Sequence, residues 1–444
     1  MQLPVTLAVA ALASTVVQAR DFIPRPDIQP GPIKPYKAIP KSTPRTKTCF
    51  VKPSCTKGRD DTPKIMAAMH ECNNGGTIVL DSEYNVCSPM DLRFLKHVDI
   101  AITGTINFCD DVDHWLPLLF MYDYQFAASQ WVIGGEDVNI YGAGVGTLNG
   151  NGQNWYDRFD TNRTLIRPIL LLTDGLRGGS ITGLKMRNSA KWHNLIMNSS
   201  DVLISDFDIY SRSTSSYEAK NLDGWDTYIS DNIIIQNSPN STNIIIQGLT
   251  CFGSHGISVG SLGQYPKSFD IVENVYIYNN TLNGAADSAR IKVWPGAETD
   301  FQPDLAGGGG AGYVRNITYD GFYGTNNDNA IKIDQCYGEK NATRCAEFPS
   351  KMNISDIVFK NFAITTNSKN APRAGDLICS GPGVSELRKK HCASDVLTGS
   401  IQTCKNIRAD NITITVPGTQ EQYWACRYVD ESLLNLGGRG CVPA

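Results

Sequence analysis

Between residues 136 and 417 the chain repeats one short pattern: a polar residue or two, aliphatics at alternate positions, then Asn or Asp near a turn. In order it reads EDVNIYG, GGSITGLKM, SSDVLISDFDI, SDNIIIQNS, STNIIIQGL, VENVYIYNN, VRNITYDGF, ISDIVFKNF and ADNITITVP. Alternation of period two predicts strands with one buried face. Short strands at regular spacing often build a sandwich or barrel. Similar strands in similar register instead build a stacked solenoid, each repeat burying its apolar face against its neighbours. The expected fold is all-β: a single-domain right-handed parallel β-helix. Before residue 75 the period changes. TPKIMAAMHEC carries Ile65, Ala68 and Met69 at helical spacing, with Thr62 as N-cap and Pro63 at the first helical position. This short N-terminal helix is expected to cap the open end of the sheets.

Equivalent aliphatics measure the coils. Ile181 to Ile204 is 23 residues, Ile204 to Ile235 is 31, Ile246 to Ile277 is 31 and Ile277 to Tyr319 is 42. The long values are coils with surface loops inserted, and 23 is close to one bare circuit. Ile235 to Ile246 is only 11, half a circuit and too little to set the second phrase above the first. Two readings of DNIIIQNSPNSTNIIIQ (231–247) stay open here. One is a β-hairpin turning at NSPNST, where Pro and Asn suit a turn. The other is a pair of rungs brought together by a missing half-coil.

The flanks read differently. Residues 1–19, MQLPVTLAVAALASTVVQA, hold an apolar stretch ending in the small-residue cleavage site Val17-Gln18-Ala19, with no basic residue before it. They are expected to be a signal peptide. Residues 20–48, rich in Pro, Lys and Arg, are expected to be extended, and 49–444 to form the β-helix domain. No other run approaches ~18 apolar residues, so no membrane span is expected. Eight N-x-S/T sequons, at Asn162, Asn198, Asn240, Asn279, Asn316, Asn341, Asn353 and Asn411, agree with a secreted, extracellular glycoprotein. Thirteen cysteines fit an oxidising compartment with disulfides, and the odd count leaves at least one without a partner in the chain. The 40 basic and 44 acidic residues include no basic run, which argues against a nucleic acid partner. A polyanionic ligand would need a few placed cations.

Three further stretches carry chemistry. NLDGWD (221–226) contributes Asp223, GSHGISVGSLGQY (253–265) contributes His255, and ARIKVWPG (289–296) contributes Arg290 and Lys292. Taken singly these are a solvated carboxylate, a core histidine and an exposed charge pair. Together, in this order on a β-helix, they resemble glycoside hydrolase family 28, the polygalacturonases, whose motifs are N-T-D, D-D, G-H-G and R-I-K. The resemblance extends over roughly residues 50–444.

The resemblance implies a pectin hydrolase acting with inversion and without a cofactor. Polygalacturonate carries a carboxylate on every sugar, so its binding site needs fixed cations, Arg as a bidentate fork and Lys as a point charge. Arg290 and Lys292, two apart on a strand, point the same way into one groove. The family's corresponding residues bind substrate, as does a Tyr after R-I-K. Tyr337 in IKIDQCYG matches it and reads equally well as an ordinary loop tyrosine. His255 would orient an acid or help bind substrate. It is not expected to hold a metal, since no second His or Cys lies at ligand spacing. Inverting hydrolysis needs one protonated carboxyl for the leaving oxygen and one carboxylate to activate water. Asp223 matches the Asp of N-T-D, with Leu222 in place of Thr.

The Asp-Asp pair is absent. Resembling sequences place an Asp-Asp-Cys segment between a phrase like NIIIQNS and PNSTNII, whereas here Ser238 joins Pro239 directly. Adding about twelve residues would turn the spacing of 11 into the bare circuit of 23. It would also supply a fourteenth cysteine, which in the family pairs with the one matching Cys251. Asp226 and Asp287 occur in such sequences beside the pair, which implies structural roles. An in-frame loss after Ser238 follows, and with it an inactive chain.

Residues 113–135, DHWLPLLFMYDYQFAASQWVIGG, resemble the insertions of the family's fungal exo-acting members, which block the groove so that only a chain end enters; as core, the same aromatics would simply pack inside. The leading expectation is a monomeric exopolygalacturonase fold releasing galacturonic acid from pectin. Exo-hydrolysis of rhamnogalacturonan or xylogalacturonan is one alternative and a non-catalytic pectin-binding β-helix another. A pectate lyase would need a calcium-binding carboxylate cluster, which the sequence does not show.

Overall fold

The computed structural model describes residues 22–54, 58–235, 241–299, 307–339, 341–381 and 403–444. The expected signal peptide, Asn240 and the junction Ser238-Pro239 lie outside the described residues. The repeated phrases fall in strands that stack in chain order into one parallel sheet. Its register sets Ile181 beside Ile204, Ile246 beside Ile277 and Ile277 beside Tyr319, the residues that the spacing made equivalent. The chain is thus an all-β parallel β-helix. Asn recurs in the phrases for a backbone reason. Asn232, Asn243, Asn274 and Asn316 all hold positive φ, a conformation that Asn tolerates better than most residues. Their side chains form a ladder, Asn243 donating to Asp231 at 2.6 Å, Asn274 to Asn243 at 3.0 Å and Asn316 to Asn274 at 2.8 Å.

Helix Thr62–Glu71 closes the N-terminal end, with Ile65, Ala68 and Met69 buried in the first core cluster. Its N-cap is Asp61 rather than Thr62, which is already helical. The Asp60 carboxylate takes the role expected of Thr62 by accepting from the Thr62 amide. Five disulfides join Cys49–Cys72, Cys87–Cys109, Cys336–Cys345, Cys379–Cys404 and Cys426–Cys441. Cys251 is a free thiol, while Cys55 and Cys392 lie outside the described residues.

The doubled phrase resolves into two parallel strands. Ser230–Ile234 and Ser241–Gln247 are neighbours, with Ser230 beside Ser241 and Ile234 beside Ile245. That excludes the hairpin. It also overturns the expectation that eleven residues cannot set one copy above the other, and the reason is reach. Returning from Ile234 to the level of Ser230 takes roughly 14 Å, and seven extended residues span up to about 25 Å. Seven residues are too few to go round the core.

The other two faces show the consequence. Asp208–Tyr210 pairs only with Lys185–Arg187, and Thr250–Phe252 only with the end of Phe269–Asn283. On the next face Asp226–Tyr228 pairs only with Asn194–Met197, and Ile257–Leu262 only with Asp287–Val293. One strand position on each face is unfilled among the described residues. The apolar interior divides at the same level, Ile233 and Ile235 closing one cluster and Ile244 and Ile246 opening the next.

Residues 22–46 run as an extended strap along the outside of the long sheet. Arg45 pairs with Asp99 and Asp137, each at 3.0 Å, and Arg25 with Asp99 at 2.9 Å. Further along, the Lys37 amide donates to Asn232 and the Ile33 amide to Gln247. Ile28, Ile33 and Ile39 cover Leu203, Ile234 and Ile245. The strap therefore carries apolar contact across the level at which the interior is divided.

Candidate active-site groove

The site gathers beside the broken face. Asp223 lies just before the strand Asp226–Tyr228, and its backbone is fixed by His193, whose amide donates to the Asp223 carbonyl at 2.8 Å. The His193 ring stands 3.2 Å from that carbonyl through Nδ1 and 2.8 Å from Ser211 Oγ through Nε2. A carbonyl only accepts, so Nδ1 carries the proton and Nε2 accepts from the hydroxyl. Burial pushes His193 down to about 4, so it holds the loop as a neutral ring.

Asp226 follows three residues on, with Oδ2 buried and without a hydrogen-bond partner. Burial, reinforced by the charge of Asp223, raises its pKa well above the carboxylate range against the pull of Lys292 and Lys191. Lys292 is shifted the other way: burial and Arg290 lower it, while Asp223, Asp226 and Asp287 hold it up.

Arg290 and Lys292 share one face of Asp287–Val293, as their spacing requires. Arg290 is anchored by Asp287 at 2.7 Å and Asp334 at 3.4 Å. The Tyr337 ring lies 5.2 Å from the Arg290 guanidinium and 5.6 Å from the Lys292 ammonium, and the Trp294 ring meets it edge-on. Tyr337 is thus a wall of the cationic pocket and not an ordinary loop tyrosine. The structure brings Asp223, Arg290, Lys292 and Tyr337 together, with Asp226 among them. His255 stands one strand over, its carbonyl accepting from the amide of Asp287, the residue that anchors Arg290, at 3.3 Å. His255 is exposed on the turn entering the edge strand Ile257–Leu262, and its ring makes no hydrogen bond among the described residues. The seven described sequon asparagines are all exposed. Asn198, Asn316 and Asn411 also donate from their side-chain amides to neighbours.

The insertion forms an arm over the groove. Phe120–Met121 and Ala128–Ser129 pair antiparallel, and the tip crosses to the opposite wall. The Gln125 amide donates to the Tyr265 hydroxyl at 3.0 Å, and its side chain to Gln264 at 3.4 Å. Tyr124 stacks on Tyr228 with centroids 3.9 Å apart, while Phe126 is 71% exposed at the tip. The aromatics therefore divide: Tyr122 and Tyr124 pack inward, and Phe126 does not. Beneath the arm, Lys191 donates to the Gln125 carbonyl at 3.0 Å and lies 4.4 Å over the Trp192 ring. Sequence reasoning missed Lys191. Its only signal was a charge set directly before two ring side chains in SAKWHNLIM.

Among the described residues no group of His, Cys, Asp or Glu is placed to hold a metal ion, and no helix is long and apolar enough to cross a membrane. The family model for Glycosyl hydrolases family 28 matches residues 88–386. Exopolygalacturonase X-2 of Emericella nidulans is 54% identical over 439 residues, covering 95% of this chain and 93% of that protein. A probable exopolygalacturonase X of Aspergillus fumigatus is 47% identical over 419 residues, covering 91% and 92%. Among solved structures, the endo-xylogalacturonan hydrolase of Aspergillus tubingensis superposes with a TM-score of 0.73 at 26% identity, covering 89% of this chain and 99% of that one. The hyperthermoactive exopolygalacturonase of Thermotoga maritima gives 0.60 at 16% identity over 90% and 94%, a likeness of fold alone.

Proposed function

The chain belongs to glycosyl hydrolases family 28, and we propose that its groove takes the ends of polygalacturonate chains, the position from which an exopolygalacturonase releases galacturonic acid. One observation carries the exo reading: the arm whose Gln125 reaches Tyr265 closes the groove beside Asp223. A polymer cannot lie across such a barrier, but a chain end can abut it. Arg290, Lys292 and Tyr337 would hold a galacturonate there, the guanidinium and ammonium meeting the sugar carboxylate and the ring its apolar face. Asp223 acts on Lys292 through space and is not tied up in an ion pair with Arg290, as Asp287 and Asp334 are, and His255 would act from the rim.

Hydrolysis adds water at the anomeric carbon, breaks its bond to the bridging oxygen and delivers a proton to that oxygen. Asp223 is a single half-buried carboxylate, and burial holds the Asp226 carboxyl well above the usual carboxylate range. The Asp-Asp pair implied by the family resemblance would sit on the strand position left unfilled between Asp226–Tyr228 and Ile257–Leu262. We therefore propose that this sequence binds chain ends while turning over at less than ~10⁻³ of an intact relative, since proton transfer alone supplies ~10²–10⁴. Secretion is part of the same proposal: five disulfides, the apolar leader and the exposed sequons suit an extracellular glycoprotein, working as a monomer on pectin.

The test is digestion of oligogalacturonides by the full chain with and without chelator, alongside a binding isotherm. Binding without monomer release supports the proposal. Brisk release of galacturonic acid would overturn the loss of turnover, and calcium-dependent unsaturated products or no binding would overturn the substrate reading.

A further inference from the structure

We propose that Lys191 is a specificity-determining residue, the cation that reads the carboxylate of the chain-terminal galacturonate at the closed end of the groove. The inference rests on the exo reading above and goes beyond it by assigning the end subsite.

Position comes first. Lys191 Nζ donates to the carbonyl of Gln125, the residue whose amide bonds Tyr265 across the groove. The ammonium therefore sits directly under the bridge that ends the groove. Its second restraint is the Trp192 ring, 4.4 Å away. A terminal sugar pushed against the arm meets this ammonium before any other cation.

Valence is the second argument. An ammonium has three donors, and Gln125 takes one. Lys191 forms no ion pair among the described residues, in contrast to Arg290, which has two carboxylate partners. Asp223 and Asp226 act on Lys191 only through space, against burial and Arg167, which together bring it down to about 8. A half-buried cation without its own anion is a costly arrangement unless a ligand completes it. A uronate carboxylate supplies the missing charge and both missing acceptors.

The third argument is spacing along the substrate. Asp223 and Asp226 act through space on both Lys191 and Lys292, while Lys191 is held under the arm by Gln125 and Lys292 stands by Tyr337, so the carboxyls are served by two separate cationic positions. A polyuronate has one carboxylate per sugar, and two adjacent sugars spanning the carboxyls need one cation group each. Arg290 and Lys292 serve one, and Lys191 serves the sugar under the arm.

The test is calorimetric titration of the full-length protein with two ligands: trigalacturonate, and the same trisaccharide with its non-reducing-end carboxylate reduced to a neutral galactose. The acid-ended ligand is expected to bind about 10-fold or more tightly, the effect of one charge-assisted contact. Lys191→Met should abolish that preference while leaving the affinity for the neutral-ended ligand unchanged. Lys191→Arg should keep it. Lys191→Gln, which still donates to the Gln125 carbonyl, should lose it even if the Met variant unfolds. Arg290→Met should weaken both ligands alike. A preference that survives Lys191→Gln, or a wild-type protein that binds both ligands equally, overturns the assignment alone. A wild-type protein that binds neither overturns the substrate reading and the assignment together.

Discussion

Ile234 and Ile245 stand side by side in a parallel sheet although eleven positions separate them in the chain. Parallel neighbours ordinarily need a crossover of a dozen residues or more, long enough to go round a core. Here the separation is too short for that, and among the described residues the other two faces are left with facing open edges. The same break that divides the interior lies between Asp223 on one side and Arg290 and Lys292 on the other. Stability and chemistry therefore meet at one place, and the strap is what covers it.

Ile33 and Ile39 of the strap pack over Leu203, Ile234 and Ile245, on both sides of the break. Replacing both by Ser removes apolar cover where the interior offers none, at about 1–1.5 kcal/mol for each half-buried side chain. Urea unfolding of Ile33→Ser/Ile39→Ser is expected to show a loss of about 2–3 kcal/mol. An unchanged midpoint would mean that the strap is a passenger.

The far end of the strap sets an acid limit. Burial works against the Asp137 charge, but hydrogen bonds from Arg45, Ser42 and His97 outweigh it and hold the group at about 2. An unfolded aspartate titrates near ~3.9, so this stability is fully present above about pH 4 and is lost as pH falls toward 2, about 2 kcal/mol in all. Asp99 titrates in the opposite sense, since burial raises it despite Arg25 and Arg45. Asp137→Asn should flatten the fall of the unfolding midpoint between pH 4 and 2, and Asp99→Asn should not.

Much of this was legible beforehand. Period-two phrases fixed the strands, and the spacings of 23, 31 and 42 returned as register partners at Ile181, Ile246 and Ile277. The grouping of Arg290, Lys292 and Tyr337 was legible because two lie two apart on a strand and the third follows a matching phrase. Lys191 and His193 were not, because their role comes from an arm that folds over them from residues 120–129, a contact no local pattern encodes. The parallel step from Ile234 to Ile245 was missed for a different reason. Counting residues per circuit assumes that the chain encloses a core, and a link too short to do so escapes the count.

Cys251 lies just beyond the break. It is the free thiol among the described residues and packs half-buried against the second core cluster, and burial raises its pKa. Less thiolate than usual forms near pH 8, so iodoacetamide should label it slowly in the native protein and fast in urea. Peptide mapping without reduction checks this. Recovery of Cys251 in a disulfide with Cys55 or Cys392 would contradict it.

The arm predicts a stoichiometry. With Gln125 bonded to Tyr265, long polygalacturonate should bind one protein per chain end regardless of length. Replacing residues 120–129 by a short Gly-Ser link opens the groove, and several proteins should then load on each chain. Sedimentation of the complexes reads the ratio, which needs no turnover. An unaltered ratio would show that the arm is not the barrier.

The last prediction joins both halves of the argument. Inserting a twelve-residue segment bearing Asp-Asp-Cys between Ser238 and Pro239 would bring the spacing of 11 to the bare circuit of 23. The added chain has a place to go, because among the described residues Asp226–Tyr228 and Ile257–Leu262 each lack a neighbour on that face. Its acids would enter between Asp223 and the Arg290–Lys292 pair, and its cysteine would lie on the coil beside Cys251. A new disulfide there should add about 2–4 kcal/mol to stability, abolished by Cys251→Ser. Release of galacturonic acid should rise by ~10³ or more as acid and base are restored. Stability gained without turnover would show that the break damaged only the scaffold. Turnover gained without the disulfide would show that the acids alone were missing.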